Sequence, residues 1–184
     1  CENNPKTTSL SLMLKWPIWL WLLPAMISPS SGRDLSLELK HLWKGQALST
    51  PSKELLTGSG ETIKLSRFAY LLSSPRLLSD HTETSSGTWL RRKDWFGYVD
   101  ASRPEGLNRL ELGSLPARSY RTLQFSIGLS SETDQADPSQ YPADHPLNPN
   151  YNNLHWTPQG GYIFLAAEGH LPGDETTGGF AYHL

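Results

Sequence analysis

In the stretch "DLSLELKHLWKG", Leu35, Leu37, Leu39, His41 and Trp43 share one parity, while Ser36, Glu38, Lys40 and Lys44 take the other and only Leu42 is out of phase. A period of two is the signature of a strand with one face buried, because successive side chains leave opposite sides of the backbone. His41 and Trp43 are thus expected on one inner face, about 7 Å apart along the strand. The stretch "SYRTLQFSIGLSS" alternates in the same way, with Leu123, Phe125, Ile127 and Leu129 opposite Thr122, Gln124 and Ser126. "GETIKLSRFAYLLSSPRLLS" and "TWLRRKDWFGYVDAS" mix apolar and aromatic residues with Ser, Pro and Gly, which predicts short strands and turns. "GGYIFLAAEG" and "GGFAYHL" read as two further strands, the last broken off mid-strand, so the domain is expected to be incomplete at its C-terminus. Between them and the earlier strands lies "SETDQADPSQYPADHPLNPNYNN", a polar segment with four prolines that reads as a surface loop ordered by Pro and Asx turns. No long helical period and no internal repeat is present. The expected fold is all-β, an antiparallel β-sandwich.

The beginning of the chain has a different character. From Met13, "MLKWPIWLWLLPAMISPSSG" runs from a lysine through an apolar core to small residues, the layout of a secretory signal peptide. That core, about ten residues, is short for a stable membrane span, which disfavours the competing reading of a retained anchor. Residues 13–32 are therefore expected to be an export signal, 1–12 upstream sequence foreign to the mature protein, and 33–184 the domain, periplasmic, secreted or on the cell surface, without stable membrane insertion once the signal is removed. Cys1, the one cysteine, would be lost with the leader, leaving neither disulfide nor thiolate metal site. A formal net charge of −2 argues against nucleic acid as a partner.

A glycine-rich phosphate loop, a G-x-S-x-G elbow, H-E-x-x-H and C-x-x-C are all absent, and no carboxylate pair stands out, so the chain is not expected to be an enzyme. What remains is histidine on strands beside tryptophan. His41, His155 and His183 are the candidate metal ligands, and imidazoles on rigid strands suit copper or zinc. A buried neutral histidine satisfied by hydrogen bonds is the competing reading of His41. His81, His145 and His170 sit in polar or Pro/Gly-rich surroundings and are taken as surface residues. Unmodified indole is a poor ligand, but oxidation to kynurenine exposes an aromatic amine and a ketone that coordinate. Trp43 and Trp156 are the candidates for that change, and inner-face parity favours Trp43. Trp89, Trp95 and Trp156 also have a plain reading as core or sandwich-edge aromatics.

The blocks "LELKHLWKGQAL", "ETIKLSRFAYLLSSPRLL", "DWFGYVDAS", "LPARSYRTLQFSIGLS", "NLHWTPQGGYIFLAAEG" and "GGFAYHL" resemble, in order, those of the MbnP-like family of exported copper-binding proteins. The resemblance runs from Leu35 to Leu184. It implies a β-rich exported domain serving copper homeostasis or delivery, with copper as Cu(I) and a MauG-like di-haem peroxidase as the partner that oxidises a tryptophan to kynurenine. It maps the family's recurring histidines onto His41 and His183, and onto His155 a position that is His in one branch and aromatic in others. The four cysteines of another branch are missing here. A metal-free β-sandwich acting as a binding or adhesion module through exposed tryptophans is the alternative function, and an extracellular hydrolase the weakest.

Overall fold

The computed structural model describes residues 32–80, 87–104, 107–156, 160–173 and 179–184, all within a compact unit spanning Gly32–Leu184. The expected leader, residues 1–31, and His81 lie outside the described residues.

The first strand, β1 (Arg33–Lys40), follows the predicted alternation and turns Leu35 and Leu37 inward. The chain leaves it at His41 and makes a tight hairpin of β2 (Leu42–Trp43) and β3 (Gln46–Ala47) around Lys44 and Gly45, both at positive φ. β4 (Leu55–Leu56) then precedes β5 (Thr62–Ser79), an 18-residue strand through the centre of the molecule. β6 (Trp89–Arg91), β7 (Phe96–Asp100), β8 (Leu107–Leu115) and β9 (Tyr120–Ile127) follow. After two one-turn helices, α1 (Ser131–Asp134) and α2 (Pro149–Asn152), come β10 (Leu165–His170) and β11 (Gly179–His183).

Every strand pairing among the described residues is antiparallel. β1 and β8 form one sheet, and β5 collects β4, β6, β7, β9 and β10, with β11 outside β10. Leu35, Leu37, Leu112 and Leu115 of the small sheet meet Leu77 and Leu90 of the large one and Trp95 from the turn between β6 and β7. This is the expected all-β sandwich, with two antiparallel layers closing on an apolar core.

The central strand corrects the expectation of short strands in "TIKLSRFAYLLSSPRLLS". It survives its Ser and Pro because Ser74 and Pro75 form a bulge: Ser73 faces Ser126, Arg76 faces Gln124, and Ser74 takes φ 53°. Pro75, having no N–H to give a ladder, occupies the irregularity where it costs no bond. The apolar run Ala69, Leu71, Leu72 is buried because both faces of this strand are covered.

Two further expectations change. The proline-rich segment is ordered by Asx and Ser caps, as predicted, with Asp137 accepting from Ser139 N–H and Asn148 from Asn150 N–H. It is not a surface loop throughout, since Leu147 is fully buried and joins Leu154, Tyr162 and Ile163 in a second core against Ala69, Leu71 and Ala166. β9 alternates as read, yet Leu123, Phe125 and Ile127 are 36%, 37% and 49% exposed, so its apolar face is open rather than half-buried.

Candidate metal centre

β11 carries His183 opposite Ala166 of β10, which in turn lies opposite Ala69 of β5. Residues directly opposite in a ladder point to the same face. His183 therefore shares a face with Ala166 and Ala69, and Glu168 and Arg67, themselves opposite each other, lie two residues along on that face. The side chains confirm the parity. His183 Nε2 lies 2.9 Å from Glu168 Oε1, and Arg67 Nη1 approaches the same oxygen at 3.4 Å.

Trp156 completes the cluster. Its ring meets the His183 imidazole edge-on, centroids 5.7 Å apart, and it is 45% exposed. The loop that presents it closes with Trp156 N–H donating to Gly161 O and Gly160 N–H to Trp156 O. Gly160 and Gly161 sit at φ +75° and +85°, a region that penalises any side chain.

His41 lies elsewhere. Its ring packs edge-on against Phe68 and Tyr70, and its Nε2 is 3.1 Å from Tyr70 Oη. Phe68 and Tyr70 flank Ala69 on β5, so they point to the face opposite His183. Burial holds the Tyr70 phenol above its ordinary value, keeping it an O–H beside that imidazole. This arrangement matches the satisfied, half-buried histidine more closely than a ligand shared with His183. Nor do His41 and Trp43 lie on one strand, because β1 ends at Lys40 and His41 falls in the break before β2; Trp43 Nε1–H donates to Leu56 O at 3.2 Å.

His155 and Trp156, though adjacent, turn to different partners. The His155 ring meets Tyr162 edge-on at 4.8 Å and borders a cleft of about 440 Å³ with Asp134 and Asp137, whose lining includes neither Trp156 nor His183. Tyr162 O–H donates to Leu147 O, and its pKa is pushed up to about 12 by burial, then by nearby Tyr141, Asp134 and Asp137. Tyr98, on the same sheet face as Arg67, donates to Asp100 and is likewise raised to about 12, by burial first and Asp100 next.

Two histidines read as surface residues are half-buried. His145 stacks on Tyr141 at 4.6 Å and accepts from Leu147 N–H, and burial lowers its pKa. His170 has a buried Nε2 without a hydrogen-bond partner.

Among the described residues no group of three His, Cys, Asp or Glu side chains is placed to hold a metal. Of the sequence candidates, His183 and Trp156 come together, while His41, His155 and Trp43 stand apart from that pair. Glu168 was missed, although a carboxylate in the middle of the apolar strand "LAAEG" is a visible signal. No described helix is long and apolar enough to cross a membrane.

A family model described as MbnP matches residues 32–184. No curated protein and no solved structure matches the chain.

Proposed function

This chain belongs to the MbnP family, and from that premise we propose that it is an exported copper-binding protein whose metal rests on His183 and an oxidised Trp156. The observation that carries the reading is the ring contact of Trp156 with His183 at 5.7 Å. The family's resemblance to copper proteins supplies the metal, and the donor set is consistent with it. One imidazole and one arylamine are borderline to soft nitrogen donors in low number, which suits Cu(I) better than a hard cation.

The residues divide the task. His183 offers an imidazole nitrogen, and Glu168 holds that ring. Trp156, nearly half exposed, is open to an oxidant arriving from solvent. Cleavage of its indole C2–C3 bond with gain of two oxygen atoms gives N-formylkynurenine; two peroxide molecules supply the oxygens and leave as two waters. Hydrolysis then releases formate and frees the arylamine. A haem peroxidase partner of the MauG-like, di-haem kind is the proposed catalyst, and this chain is its substrate rather than an enzyme. Copper bound there would be cargo for storage or delivery.

A second reading, a binding or adhesion module, draws on the open apolar face of Leu123, Phe125 and Ile127. Metal content and the mass of the Trp156 peptide in protein from the native host separate the two.

A further inference from the structure

We infer that Glu168 fixes the tautomer of His183 and thereby selects Nδ1 as its metal-binding nitrogen. An ionised carboxylate only accepts hydrogen bonds. At 2.9 Å from Glu168 Oε1, Nε2 must therefore carry the hydrogen. In the neutral ring the lone pair then belongs to Nδ1. A ligating histidine tied through its other nitrogen to a carboxylate has its ring orientation set and its basicity raised.

Glu168 is itself held in place. Arg67 reaches the same Oε1 with Nη1 at 3.4 Å, while its Nη2 donates to the carbonyls of Asn152 at 2.9 Å and Asn153 at 2.8 Å. Those carbonyls lie at the C-terminal end of α2, where a helix leaves acceptors without internal donors. Asn152 is buried and anchored in turn, with its amide donating to Pro146 O and its side-chain oxygen accepting from Leu154 N–H. Two residues after Leu154 comes Trp156. Arg67 thus bonds to both halves of the site: to His183 through Glu168, and to the backbone that leads into Trp156. Glu168 is a positioning residue in this scheme, acting on any metal only through the imidazole.

The tautomer claim stands on the protein alone; the metal-binding part rests on the proposed copper function. The test uses the full chain with ¹⁵N-labelled histidine, free of metal, at about pH 8, above the ordinary imidazole range. Long-range ¹H–¹⁵N correlation is expected to show His183 as the Nε2–H form. Glu168→Ala should move it to a mixture of tautomers, and Glu168→Gln, whose amide oxygen still accepts, should restore the Nε2–H form. Competition with a chromophoric Cu(I) chelator, on protein carrying the modified Trp156, should show affinity about 10- to 100-fold weaker in Glu168→Ala and recovery in Glu168→Gln. A His183 pattern unchanged by Glu168→Ala, or an Nδ1–H form in the wild type, overturns the inference. Locked and released tautomers as expected, with no copper bound by the wild type, would uphold the tautomer assignment and defeat the copper reading instead.

Discussion

Trp156 lies edge-on to His183 with ring centroids 5.7 Å apart, although one follows a core segment and the other sits on the last strand. Trp43, two residues from His41 in sequence, is bound instead to the backbone of β4 through Leu56 O. Replacing each by phenylalanine should therefore give different results. Trp156→Phe is expected to abolish copper retention and any kynurenine absorbance in protein made alongside its oxidant. Trp43→Phe should keep both. Elemental analysis and the near-ultraviolet spectrum of the two variants decide the matter, and the reverse pattern would move the site to the β2–β3 hairpin.

The two histidines of the sequence motif should also separate. His183→Ala is expected to lose copper. His41→Ala should keep it and lose about 0.5–1.5 kcal/mol of stability, the usual net worth of a hydrogen bond such as that to Tyr70. Urea denaturation paired with a copper titration reads both quantities on the same samples.

Leu147 is fully buried although its neighbours are proline and asparagine. Truncating it should behave as a core change, with Leu147→Ala costing about 2–5 kcal/mol. Were the segment an ordinary surface loop, the thermal midpoint would hardly move.

His145 should contribute to acid sensitivity. Burial lowers its pKa in the folded protein, against a smaller opposing effect of Asp144. A depressed folded value means that the unfolded chain binds the proton more readily, so stability is whole above about pH 6.5 and falls as pH drops through the folded value. His145→Phe retains a ring against Tyr141 and cannot charge, but it removes the acceptor for Leu147 N–H. Its stability should start lower and vary less between pH 7 and pH 5 than the wild type; an equal slope would remove His145 from the acid response.

Much of the fold was legible because burial on one face imposes a period of two. β1 could be read from that alone. β5 could not be read whole, because Ser74 and Pro75 look like a break, whereas a bulge lets the ladder resume on the far side. β9 shows the opposite limit: alternation records which residues share a face, not whether anything covers it. Of the cluster around His183, the sequence offered His183 and Trp156 as candidates but neither Glu168 nor the pairing. "HW" suggests that His155 and Trp156 act together, but His155 packs on Tyr162 instead, and the partner of Trp156 comes from a ladder register that no local pattern encodes.

The central claim is that Trp156, oxidised, and His183 hold copper. It is met most directly by determining metal content and peptide masses on one sample of the exported protein purified from its native host under copper-replete conditions. The account predicts copper near one equivalent and a kynurenine mass on the peptide containing Trp156, with Trp43 unmodified. Unmodified Trp156 together with no copper would contradict it and leave the open face of β9 as the surface to pursue.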